Sequence, residues 1–234
     1  MLRGIYANAQ AMTALMAKQD VQSNNLANVN TTGFKKDRVN FEEFSEVLRG
    51  QTVSTPIARS STDDEQGPMV RTENPLDMAI QGNGYFTLET PQGPRYTRAG
   101  SFQWDAKGRL TDSSGRLLQG ASGPIQRSPE GGPVIIGSDG KITMGSNEIG
   151  KLTIVGFSKE ARLHKVGQGV YEAVGGEPKA AAGQVVQGFL ESSSVNSVHE
   201  MAEMINTLRL FEANQRSLRY QDEALGRAIQ DLGR

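Results

Sequence analysis

His164 and His199 are the only imidazoles in the chain and there is no cysteine, so any metal or nucleophile chemistry has to start from very few groups. His199 is followed by Glu200, but Glu203 stands where a zinc-protease His-Glu-x-x-His motif needs its second histidine. His164 lies beside Lys165 in a turn-rich segment and reads as a surface residue. Gly82-Asn83-Gly84 begins like a dinucleotide fingerprint, but Thr87 occupies the third glycine position. Gly175-Gly176-Glu177-Pro178-Lys179 lacks phosphate-loop spacing, and no Gly-x-Ser-x-Gly elbow occurs. Asp63-Asp64-Glu65 offers carboxylates, yet it sits in the polar tract Ser60–Pro68 and reads as a solvated turn rather than a metal site. The expectation is a protein without a catalytic, cofactor-binding or metal site, and not an enzyme.

The bulk properties narrow the class further. The 234 residues are 36% hydrophobic but only 6% aromatic, thin for one well-filled globule and suited to an extended or partner-completed molecule. Twenty-five basic and 26 acidic residues give a net charge of −1, which favours neither nucleic acid nor an anionic membrane surface. No apolar stretch approaches the ~20 residues that span a bilayer, so no membrane insertion is expected. The N-terminal Met1-Leu2-Arg3-Gly4-Ile5 lacks an apolar h-region, and a cleavable signal peptide is not expected either.

Helix breakers are distributed unevenly. All nine prolines fall between Pro56 and Pro178, and 22 of the 27 glycines between Gly67 and Gly188, leaving both ends fit for long helices. At the N-terminal end Ile5, Ala9, Met12, Met16, Gln19, Ser23 and Leu26 recur by fours and threes, a heptad-like seam over residues 3–29 or about 40 Å of helix. At the C-terminal end Met201, Met204, Leu208, Phe211, Gln215, Leu218, Asp222, Leu225, Ile229 and Leu232 do the same over about 54 Å. Ser197 as N-cap with Glu200 three residues later reads as a capping box. Polar residues within both seams suit register-setting contacts in an assembly.

Between the helices the pattern changes to short strands and turns. Leu76, Met78 and Ile80 alternate before Gly82-Asn83-Gly84, and Tyr85-Phe86-Thr87-Leu88 resumes a strand. Lys107-Gly108-Arg109-Leu110 and Ser114-Gly115-Arg116-Leu117 are two similar turn units. Val134-Ile135-Ile136, Asp139-Gly140 and Lys141-Ile142-Thr143 read as a hairpin with a type I′ turn. The expected fold class is α+β: long terminal helices pairing as a coiled coil, and a central antiparallel β domain, barrel or sandwich. The expected parts are an N-terminal helix over 1–33, an extended arm over 34–75 with a short helix near Phe41–Leu48, the β domain over 76–185, and a return strand with the C-terminal helix over 186–234.

Four ordered blocks carry a family resemblance. Ser23-Asn24-Asn25-Leu26-Ala27-Asn28-Val29-Asn30-Thr31-Thr32-Gly33-Phe34-Lys35 resembles the signature segment of the flagellar rod and hook axial proteins. Asn74-Pro75-Leu76-Asp77-Met78-Ala79-Ile80-Gln81-Gly82-Asn83-Gly84-Tyr85-Phe86 is similar to that family's entry to its β domain. Tyr96-Thr97-Arg98-Ala99-Gly100-Ser101-Phe102 and Gly188-Phe189-Leu190-Glu191-Ser192-Ser193-Ser194-Val195-Asn196 follow in the family's order.

The resemblance implies a subunit whose terminal helices stack around an axial channel, in contact with copies of itself and with other rod and hook axial proteins. It would be passed without a cleavable signal peptide through the flagellar type III export apparatus to the basal-body rod in the periplasmic space. Its work would be to transmit torque and line the export path. The assembly interface is expected at Ile5, Met12, Met16, Leu26, Met201, Met204, Leu208, Phe211, Leu218, Leu225 and Ile229. The helix exit is expected at Asn24, Asn25, Leu26, Ala27, Asn28, Gly33 and Phe34, with Gly33 at positive φ. The short middle is nearer the proximal rod subunits, with the longer-armed distal ones as the alternative. A secreted adhesin or carbohydrate-binding β module with oligomerising helices is the alternative from another class, and it would need an exposed aromatic platform around Trp104.

Overall fold

The computed structural model describes residues 2–48, 51–158, 161–167 and 169–232, in two compact units. The first comprises Met1–Asn28, Lys36–Asp63 and Val195–Arg234, and the second Val29–Lys35 and Asp64–Ser194. The fold is α+β, with a helix at either end of the chain and an antiparallel β domain between.

The first unit holds α1 (Leu2–Ala27), a hairpin of β1 (Asp37–Leu48) and β2 (Gln51–Thr62), and α2 (Ser197–Leu232). At 26 and 36 residues the helices span about 39 and 54 Å. The N-cap of α2 is Asn196 rather than Ser197: Asn196 Oδ1 accepts the His199 N–H at 3.1 Å. Glu200 therefore does not close a capping box; its carboxylate is taken by Lys36 Nζ at 2.5 Å. The short helix expected near Phe41–Leu48 is also absent, because that segment pairs throughout with β2, from Asp37↔Thr62 to Leu48↔Gln51. Helical spacing of Phe41 and Phe44 loses to a partner strand rich in β-branched residues, among them Thr52, Val53, Thr55 and Ile57. The Phe44 side chain lies outside the described residues. Pro56 is tolerated because a two-stranded ribbon consists only of edge strands.

The second unit is built from short antiparallel strands. Its main sheet runs through Arg162–Gly167, Val170–Val174, Gly93–Thr97, Tyr85–Thr90, Leu117–Gly120, Leu110–Asp112 and Phe102–Trp104. The two end strands do not pair among the described residues, so the sheet is open and the expected barrel is not closed. Val134–Ile136, Lys141–Met144 and Asn147–Lys151 form a second sheet. Gln184–Gln187 pairs with Met78–Gln81, and Phe189–Glu191 with Met69–Arg71, so the last strands of the unit close on its first. Strand alternation sends Phe86 and Leu88 into one core with Met78, Ile80, Leu118 and Ile142, while Tyr85 joins Tyr96, Val155 and Tyr171 in another. Trp104 packs half-buried against the first core rather than forming an exposed platform.

Three hairpin turns share one design. Gly108, Gly115 and Gly140 each stand at positive φ and close a turn by donating their N–H to the carbonyl three residues back, of Asp105, Asp112 and Gly137 respectively. Asp139 is not at positive φ, so the Asp139-Gly140 turn is not type I′ but a turn followed by a left-handed glycine. In the two similar units, Asp105 Oδ1 accepts the Lys107 and Arg109 N–H groups and Asp112 Oδ1 those of Ser114 and Arg116.

Candidate assembly surface

Polar contacts join α1 and α2. Asn8 Nδ2 donates to Ser217 Oγ at 3.1 Å, and Lys18 Nζ meets Glu203 Oε2 at 3.0 Å. A Cβ on Gly4 would stand 2.9 Å from Gln221 Oε1, and Ala14, Gln22 and Thr207 are buried. The Lys18 ammonium, by hydrogen bond and charge, holds the Glu203 carboxyl below its usual range. Gly4, Asn8, Lys18, Gln22 and Asn25 each precede by one residue the seam positions Ile5, Ala9, Gln19, Ser23 and Leu26. One residue is a rotation of about 100° on a helix. The intramolecular face is thus offset from the apolar seam and covers only part of it.

That seam is partly uncovered within the subunit. Met16 is 56% exposed, Met201 50% and Leu208 41%. Tyr6, Ile205, Leu210 and Tyr220 are exposed beside them. Ile5, Met12, Leu26, Met204, Phe211, Leu218 and Leu225 are half-buried. Ile229 lies outside the residues whose side chains are described. The sequence pattern alone does not separate the two faces.

The helix exit is tightly held. Asn28 donates its N–H at 3.2 Å and its Nδ2 at 2.9 Å to the Asn24 carbonyl, and Ala27 is the last helical residue. Asn25, 1% exposed, binds the Asp37 backbone at both ends: Nδ2 donates to Asp37 O at 2.8 Å and Oδ1 accepts Asp37 N–H at 2.9 Å. Gly33 has φ of 67°, as the turn requires. A Cβ there would lie 2.3 Å from Ala99 N and Arg98 C, so residues 29–35 are seated on the β domain rather than outside it. Phe34 is buried under Lys165 Nζ, which stands 4.1 Å from the ring centroid.

A buried ion cluster lies beside this turn. Lys35, Arg98 and Glu191 are 0, 4 and 1% exposed. Lys35 Nζ donates to Glu191 Oε1 at 2.7 Å and to Glu65 O at 2.8 Å. Arg98 donates to Glu191 Oε2 at 3.1 Å, to Ile80 O at 3.3 Å and to Gly82 O at 2.8 Å. Gly67 N–H also donates to Glu191 Oε1, at 3.1 Å, and Gly33 N–H to the Glu191 carbonyl at 2.7 Å. Burial pushes the Lys35 ammonium below its usual value, and the Glu191 carboxylate opposes that shift. Sequence reading placed these three charges in family blocks without giving them a role.

The groups first weighed for chemistry are engaged elsewhere. Gly82 and Gly84 form a positive-φ turn between strands, and Gly175 and Gly176 another. Asp63 pairs with Arg38, and Asp64 accepts from Tyr85 Oη at 3.1 Å.

Comparison with known proteins supplies the frame for these features. Residues 5–35 match the flagella basal body rod protein family, 79–144 the D1 domain of the flagellar hook protein FlgE/F/G family, and 186–231 the C-terminal region of the flagellar basal body rod FlgEFG proteins. The chain is 32% identical to the flagellar basal-body rod protein FlgG of Bacillus subtilis over 256 aligned positions, covering 96% of this chain and 97% of that one. It is 32% identical to the FlgF rod protein of Mesorhizobium japonicum over 234 positions, covering 98 and 97%. To the FlgF of Rhizobium meliloti it is 33% identical, covering 100 and 99%. The chain belongs to the flagellar basal-body rod protein family. It is a structural subunit of the rod. Within this rod-family chain each matched segment contributes one member of the buried cluster: Lys35 from the first, Arg98 from the second and Glu191 from the third.

Proposed function

We propose that this rod subunit assembles helically through α1 and α2, with copies of itself and with other rod and hook axial proteins, to transmit torque and line the export channel. The observation that carries this reading is the uncovered part of the apolar seam: polar contacts join the two helices, while Met16, Met201 and Leu208 remain exposed. Helices of 26 and 36 residues gain most of their stability from tertiary packing, and neighbouring subunits would supply it as coiled-coil contacts. The hairpin serves as a bridging arm. No catalysis is part of this role. The subunit reaches the periplasmic part of the rod through the flagellar type III export apparatus.

Within the family we favour the shorter, proximal type. The short stretch of chain between the terminal helices supports this reading. Electron microscopy of basal bodies carrying a label on this subunit tests both levels. Label on the axial rod near its inner end is the expected result. Label away from the axis overturns the rod assignment, and label near the hook overturns the proximal one.

A further inference from the structure

We propose that Glu191 is a closing clasp, which makes folding of the β domain conditional on arrival of the chain's last strand. Lys35 and Arg98 are fixed in the interior, yet their shared carboxylate comes 156 and 93 residues later. Before Glu191 is in place, the same packing buries two cations without their anion. Asp64, held by Tyr85 Oη, adds only a more distant attraction to Lys35. An uncompensated buried charge costs far more than a paired one contributes, so the incomplete domain favours the open chain.

The backbone acts in the same sense. Glu191 O takes the Gly33 N–H, Ser192 N–H donates to Pro68 O, and Ser194 N–H donates to Phe34 O, so 191–194 stitch residues 33–34 and 67–68 together. Asn196 caps α2 only a few residues later. The domain therefore closes as the chain reaches its final helix. The clasp holds whatever route the subunit takes to the rod, so its failure and that of the assembly reading are separable.

Two measurements test it. In the full chain, Glu191→Gln should lower the folding equilibrium constant of the β domain on the order of a hundred- to a thousand-fold. In a Lys35→Met background the same change should cost about tenfold less. Equal cost in both backgrounds overturns the clasp. In ribosome-stalled chains, pulse proteolysis should find the domain cleaved when Gln187 is the last residue to clear the tunnel and protected when Ser194 is. Lys35→Met should advance protection toward the earlier stall. Wild-type protection already at Gln187, or no advance with Lys35→Met, overturns conditional folding.

Discussion

Gly33 shows how a single residue can carry two constraints. Its positive φ follows from the need to turn after the helix, and that much is legible from Asn30-Thr31-Thr32-Gly33 alone. The second constraint is not: Cβ would enter the backbone at Arg98–Ala99, 65 residues away in sequence. A turn lying outside the β domain would leave the domain's melting unchanged on substitution, and the contact reverses that expectation. Gly33→Ala should destabilise the second unit by about 2–4 kcal/mol, combining the φ penalty with overpacking. Thermal or urea unfolding followed by a β-domain signal checks it, and an unchanged midpoint would mean that residues 29–35 are not seated as described. Asp105 gives a pH effect with a definite sign. Backbone and side-chain hydrogen bonds from Arg109, then the Lys107 N–H, hold its carboxyl below the unfolded value of 3.8. Its stabilisation is therefore present above that value and is lost as pH falls through the lower folded one. Urea midpoints measured across this acid range should fall less steeply for Asp105→Asn than for the native chain.

At the scale of elements, the sequence shows where helices run better than which way they face. Proline and glycine placement marks α1 and α2, and the alternation in Met78–Ile80 and Tyr85–Leu88 marks strands, since these are local periodicities. The face turned inward on α1 is set by Gly4, Asn8 and Lys18 meeting Gln221, Ser217 and Glu203, contacts that span most of the chain. No local pattern reports them. The same holds for β1, whose helix-like spacing yields to a partner strand, and for Glu191, whose value lies in where Lys35 and Arg98 are buried. The uncovered part of the seam makes Leu208 a clean probe. In a single subunit it is substantially exposed, so Leu208→Asp should shift the melt by less than about 0.5 kcal/mol. In a helical assembly the carboxylate would be desolvated against neighbours at a cost of several kcal/mol, order of magnitude, at each contact. Complementation should yield exported, folded protein without complete basal bodies. Normal swimming with Leu208→Asp would show that this seam does not bear on a neighbour.

The two units differ in how each is held together, and that difference reaches the behaviour of the whole subunit. The β domain has a continuous apolar core around Phe86, Leu88 and Leu118, closed by the buried Lys35–Glu191–Arg98 cluster. Among its described residues the helical unit buries few side chains, Ala14, Gln22, Asn25, Val195, Glu200 and Thr207, of which only Ala14 and Val195 are apolar. Exposed ion pairs such as Lys18–Glu203 contribute too little to fix helices of this length. Local opening free energy should therefore be low along α1 and α2 and approach the global value in the β domain. Hydrogen exchange on the isolated subunit should find rapid exchange over residues 2–27 and 200–232 and slow exchange over 76–191. In intact basal bodies the same helical amides should become slow, because neighbours cover the apolar seam and the helices are no longer free to fray. The contrast between the two samples is the informative quantity. Strong protection of both helices in a subunit shown to be monomeric would mean that their stability is internal, and that assembly is not what the exposed seam is for.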